Sequence, residues 1–246
     1  MRITEHVDAL ETAGAALAAA AETTGTDAEV PTCPGWRVRD LLRHTTTVHR
    51  WATGFVAAGH TAYRPPGDEP ALDGAALLAH YREGHTTLVA ALRAAPESLA
   101  CWTFLPAPSP LAFWARRQAH ETAVHRADAE SALPAGPGPV GARLAADGVD
   151  ELLAGFHGRD RSRVRTPDPR TLRIRATDTG DAWTVRLSAA PPVTERAGSA
   201  AGPADAEIAG TAERLYLTLW NRLPATAVTV TGDAELLRLW RETSAI

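Results

Sequence analysis

The hydrophobic pattern of this chain changes character between about residues 157 and 164, and that change limits it to an α+β architecture in two parts. Up to about residue 157, apolar residues recur every three or four positions; from about 164 alternating stretches appear, with helical ones among them. Val7, Leu10, Ala13 and Leu17 mark a first helix over 4–23, with Gly14 a mild cost inside it. The segment Val30-Pro-Thr-Cys-Pro-Gly35 cannot sustain a helix and is a loop. Further helices are predicted over 36–58, 71–94, 111–133 and 140–156. The breaks between them fall at Arg64-Pro-Pro-Gly-Asp68 and at Pro106, Pro108 and Pro110.

In the second part, Leu172-Arg-Ile-Arg-Ala-Thr177 and Trp183-Thr-Val-Arg-Leu-Ser188 alternate around Asp178-Thr-Gly-Asp181, which is a hairpin pattern. A third strand is expected over 206–210. Thr211 then caps a helix ending near Leu223. A fourth strand follows over 228–231, with Gly232 as a turn and Asp233 capping a last helix. The expected division is a helical domain over 1–157 and a small α+β domain over 164–246.

A chain of 246 residues with 45% hydrophobic content can bury a sizeable core. Its net charge of −4 is spread along the sequence, and every permanent cation is arginine. That distribution gives nucleic acid no basic face to bind. Glu5, Asp8 and Glu11 interrupt any leader pattern in the first 25 residues, and no apolar run approaches the ~20 residues needed to span a bilayer. Two cysteines, Cys33 and Cys101, are too few and too far apart for a disulfide framework or a thiolate cage. The expectation is a cytoplasmic protein with no membrane partner.

The second helix is the first place where chemistry shows. Leu41, His44, Val48, Trp51 and Phe55 share one stripe, and every member but His44 is large and apolar, so His44 is expected to face the bundle interior. His49 stands about 140° around the helix from it, beside Leu42, Thr45 and Thr53, and is not expected to share its site. A lone histidine on such a stripe is more often a hydrogen-bonded core residue than a ligand.

The fourth helix shifts that balance. Glu121 and His125 are four residues apart and so on one face, a ready pair of ligands for a divalent ion. Gln118 and Asp128 continue the stripe and could orient the ligands; the rival reading is a solvated polar face. Trp114 and Leu111 on the same stripe count against the rival. So does the opposite face of Ala112, Ala115, Ala119 and Ala123, which has little bulk to fill a core. His120 and Glu121 do not begin a His-Glu-x-x-His motif, because the next histidine falls five residues after His120. His85 shares a stripe with Leu78, Tyr81, Leu88 and Leu92 and reads as a core histidine, with the same cavity as its alternative. No Gly-x-Ser-x-Gly elbow or phosphate-binding glycine loop is present, and neither cysteine has a histidine close in sequence.

These residues match a known pattern. Val30-Pro-Thr-Cys-Pro-Gly-Trp-Arg-Val-Arg-Asp-Leu-Leu-Arg-His44 resembles the entry to the metal-binding helix of the mycothiol-dependent maleylpyruvate isomerase family, with His44 at its first ligand position. Ala119-His-Glu-Thr-Ala-Val-His-Arg-Ala-Asp-Ala-Glu130 resembles its second signature, with Glu121 and His125 at the other two. The stretches around Leu215-Tyr-Leu-Thr-Leu-Trp-Asn-Arg222 and Val228-Thr-Val-Thr-Gly-Asp233 are similar to its C-terminal domain. The resemblance implies a DinB-like four-helix bundle followed by a small sterol-carrier-like α+β domain. It also implies zinc, or another divalent metal, on His44, Glu121 and His125, with open positions for mycothiol as thiol cosubstrate.

A divalent ion can hold a thiol as thiolate at neutral pH. Addition to and expulsion from a conjugated double bond would then give cis–trans isomerisation, and retention of the adduct an S-transferase. The partners expected are a small electrophile and a low-molecular-weight thiol. Substrate-binding arginines are not assigned: Arg43, Arg50 and Arg126 lie near the motifs but read first as solvated charges. Two readings from other classes stand beside this one, a non-catalytic ligand- or partner-binding protein and a metal-dependent hydrolase activating water. All three ligand positions being filled speaks against the first, and a requirement for added thiol would separate the second.

Overall fold

The structure is a computed structural model describing residues 1–197 and 202–244. It divides into two compact units, Met1–Gly138 and Pro139–Ile246. The first holds four helices: α1 (Ile3–Thr24), α2 (Val38–Ala58), α3 (Gly74–Ala94) and α4 (Pro110–Glu130). α1 and α2 each pack against both α3 and α4, so the bundle runs α1–α4–α2–α3 around its axis. Its boundaries follow local chemistry. Ser109 accepts a hydrogen bond from the Ala112 amide, with Pro110 at the first helical position of α4. Gly59 ends α2 in the left-handed conformation, φ 62°.

α4 lies between α1 and α2 and is buried nearly all round. Its alanine face, Ala115, Ala119 and Ala123, is as buried as Trp114. Small side chains there suit close approach of α1, itself built largely of alanine over Ala13–Ala21. The thin face of α4 is therefore a packing surface.

On α2 the phase differs from the expected stripe. The fully buried residues include Leu42, Thr45, Thr46, His49 and Ala52, whereas His44, Val48 and Trp51 are half-buried. Thr45, like Thr47 and Thr53, returns its hydroxyl to the carbonyl four residues back, which lets a polar residue sit inside. His44 consequently stands at the margin of the bundle and not in its interior.

The second unit is a five-stranded mixed sheet in the order β3-β2-β1-β4-β5 with helices. Its strands are β1 (Arg170–Ala176), β2 (Ala182–Leu187), β3 (Val193–Ala197), β4 (Ala206–Gly210) and β5 (Thr229–Gly232). β1 and β2 form the expected hairpin, with Ile174 opposite Trp183. β4 runs parallel to β1, and α6 (Ala212–Leu219) carries the chain toward β5. α7 (Glu235–Thr243) closes the unit, its Glu235 amide bonded to Asp233 Oδ1. β3 was not expected from the sequence, and α6 ends earlier than Leu223, at a turn where Asn221 has φ 61°.

The helix expected over 140–156 is α5 (Ala142–Asp150) with a π-helical turn over Glu151–Phe156. It packs on α6, so it groups with the sheet, and the division of units falls at the Pro- and Gly-rich 134–141. Among the described residues, no helix is long and apolar enough to cross a membrane.

Candidate metal centre

α2 and α4 bring together the three residues singled out as ligands. Glu121 Oε1 lies 3.2 Å from His44 Nε2 and 3.2 Å from His125 Nε2. The imidazoles meet edge to face with centroids 5.0 Å apart, and the three donor atoms all lie within 4.8 Å of one another. Donors around a single tetrahedral ion with bonds near 2 Å are separated by roughly 3–4 Å. Two imidazoles and a carboxylate at these separations fit zinc or a similar divalent ion.

The surrounding residues fix the donors. His125 Nδ1 is 2.9 Å from Asp128 Oδ2, and Asp128 is fully buried. The other oxygen of that carboxylate, Oδ1, accepts from the Thr32 hydroxyl at 2.6 Å. Thr32 reaches α4 because the loop before α2 folds back on itself: the Val30 amide bonds the Trp36 carbonyl at 3.0 Å, and the Val38 amide bonds the Ala28 carbonyl at 2.9 Å. Trp36, from the same loop, sets its ring edge to face with His44 at 5.4 Å. Arg117, also buried, donates to Glu121 Oε2 at 3.2 Å, leaving Oε1 to the histidines.

These contacts govern protonation. Burial opposes charge on Glu121, yet hydrogen bonds from His125 and His44 and the positive charge of Arg117 hold its carboxyl well below the usual range. Burial likewise disfavours a charged His125, but its bonds to Asp128 and Glu121 raise it to about 9.

His49 is absent from the donor group, as its helical phase implied. It is buried, pairs through Nε2 with the Thr122 hydroxyl at 2.9 Å, and is lowered to about 3, chiefly by burial and by nearby His85. His85 is a core residue, stacked on Tyr81 with Nε2 3.1 Å from the Leu10 carbonyl. His120 packs edge to face on His6. Of the two expected supporting residues only Asp128 holds a ligand; Gln118 is buried, its Oε1 without a partner among the described residues.

Arg43 donates to the Leu72 carbonyl, Arg50 pairs with Glu83, and Arg126 bonds the Gly138 carbonyl. Arg117 went unassigned in the sequence, although opposite charges at 117 and 121 are the spacing that pairs on a helix.

A family profile described as the mycothiol maleylpyruvate isomerase N-terminal domain matches residues 7–130. A second, described as the MDMPI C-terminal domain, matches residues 143–239. Among solved structures, a crystal structure of the mycothiol-dependent maleylpyruvate isomerase aligns with a TM-score of 0.65 at 14% identity, covering 94% of this chain and 93% of that one. A histidine-to-alanine variant of that isomerase aligns with a TM-score of 0.64 at 13% identity over the same shares. At such identities the likeness is one of fold. No curated protein matches the chain.

Proposed function

We propose, from the premise that the chain belongs to the mycothiol maleylpyruvate isomerase family, that it is a mycothiol-dependent isomerase of a small electrophilic substrate. In this reading His44, Glu121 and His125 hold a divalent metal, zinc being the ion that best suits two imidazoles and a carboxylate. The observation that carries the reading is the convergence of those donor atoms, from two helices, within 4.8 Å. Bound together, the ion and the thiol supply a nucleophilic sulfur at neutral pH.

The chain's own residues prepare that chemistry. Asp128 fixes the ring orientation of His125 and directs Nε2 toward Glu121. Arg117 keeps the Glu121 carboxylate charged and holds one of its oxygens. Trp36 shields one side of His44 with an apolar ring. Neither cysteine of the chain belongs to the donor group.

The test combines metal analysis with a turnover screen. Purified protein should contain about one divalent ion per chain, lost in His44→Ala, Glu121→Ala and His125→Ala variants. Turnover should require added mycothiol and survive in a Cys33→Ser, Cys101→Ser variant. Stoichiometric metal in a His44→Ala, His125→Ala double variant, or undiminished activity without thiol, would overturn the reading. Product analysis separates isomerisation from S-conjugation.

A further inference from the structure

A cavity of about 420 Å³ lies beside α2 within the helical unit, bounded by α2, His80 of α3 and the connection between those helices. Its volume falls in the range of small-molecule sites. Trp51, half-buried, supplies an apolar aromatic surface, while Arg50, Arg64, His60 and His80 supply donors; Asp68 is the one acid in the lining. The connection is pinned over the cavity where Trp51 Nε1 donates to the Arg64 carbonyl at 2.7 Å.

A further observation points to a ligand with an anionic group. The Arg50 guanidinium is held by Glu83 at 2.8 Å, but both side chains are substantially exposed, at 45% and 69%. Exposed pairs of this kind contribute little, so an entering carboxylate can take the place of Glu83.

We infer that this cavity binds a small flat molecule bearing a carboxylate, an aryl-substituted unsaturated acid being the class that fills both kinds of wall. The aromatic end lies against Trp51, and the carboxylate meets Arg50 and Arg64. Thr47 and Trp51 stand three and seven residues beyond His44 on the same helix, roughly 5 and 10 Å along its axis. The ligand's role as substrate rests on the proposed function; its binding does not, because the cavity needs neither metal nor thiol.

The probe is trans-cinnamate, titrated calorimetrically into the full chain without thiol. One molecule per chain is expected, with cinnamyl alcohol and fumarate each at least tenfold weaker. Gly54 lines the cavity, and a Cβ built on it meets nothing within 4 Å, so Gly54→Leu should fill the space and abolish binding without lowering the melting temperature. Arg64→Ala should weaken binding about tenfold, and His44→Ala should leave it unchanged. Absence of cinnamate binding, undiminished binding in a folded Gly54→Leu variant, or equal binding of the alcohol would overturn the inference. Tight cavity binding without thiol-dependent isomerisation of cis-cinnamate would instead count against the proposed function and leave the cavity assignment standing.

Discussion

Asp128 grips the far nitrogen of His125: its Oδ2 lies 2.9 Å from Nδ1, in a position with no exposure to solvent. That contact leaves Nε2 as the ring atom facing Glu121 and ties the orientation of one candidate ligand to a residue outside the donor group. Replacing Asp128 by Asn keeps the shape and removes the charge. Metal affinity, measured by competition with a chromophoric chelator, should fall about 10–100-fold. Thr32→Val, which removes the bond to Asp128 Oδ1, should give a smaller loss. Unchanged affinity in Asp128→Asn would mean that His125 does not depend on this contact.

Metal uptake should release a proton. Without metal, His125 is raised to about 9 by Asp128 and Glu121 against the cost of burial, so at neutral pH its ring is charged. A ligand must be neutral, so apparent affinity should rise about tenfold per pH unit up to about 9 and level off above it. The folded value lies above the unfolded 6.5. The metal-free protein therefore gains stability from this proton, in full below pH 6.5, and loses it as pH rises through 9. Calorimetry in buffers of different ionisation heat reads the released proton directly.

The acid side belongs to other histidines. Burial lowers His49 to about 3, and burial with the nearby Arg159 lowers His157 to about 4. Each binds its proton more readily unfolded, so stability should fall as pH drops below 6.5, by roughly 1.4 kcal/mol per unit for each group until its folded value is reached. His49→Leu should make that fall shallower while leaving metal content intact, because His49 contacts Thr122 and not the donor group. Urea titrations between pH 7 and 4.5 test both points. An unchanged slope would show that His49 takes up its proton in the folded state.

Much of this was legible in the sequence, and the exceptions have physical causes. Helical stripes and the later alternation located the four bundle helices and the β1–β2 hairpin, because those patterns record which face is buried. The i, i+4 spacing of Glu121 and His125 put them on one face, and the resemblance of the Pro-Gly-Trp segment pointed to His44. The burial phase of α2 was misread because several of its interior residues are polar, two of them bonded inside: Thr45 to its own helix and His49, through Nε2, to Thr122. Composition cannot distinguish such residues from a wet face.

β3 was missed because Val193-Thr-Glu-Arg-Ala is an edge strand with Val193 exposed, and it follows two prolines. The grouping of α5 with the sheet depends on its contact with α6, some 60 residues on, which helical periodicity does not record.

The last prediction turns on Gly14, which the sequence offers only as a weak point in α1. Helix propensity alone says that Gly14→Ala should stabilise the protein by about 1 kcal/mol. The structure reverses that sign. A Cβ on Gly14 would stand 2.2 Å from His85 Nε2 and 2.4 Å from its Cδ2, well inside contact distance. The ring cannot move aside cheaply: it is buried, stacked on Tyr81 at an interplanar angle of 2°, and its Nε2 is 3.1 Å from the Leu10 carbonyl. Tyr81 also donates from its hydroxyl to the Gly14 carbonyl at 3.2 Å, so the same turn of α1 is held from two sides. Overpacking of this kind costs about 1–3 kcal/mol, and loss of the histidine's bond adds to it. Urea denaturation should therefore show Gly14→Ala to be net destabilising. In a His85→Ala background the obstacle is gone, and the same substitution should become neutral or stabilising. An equal loss in both backgrounds would show that the strain lies elsewhere than between Gly14 and His85.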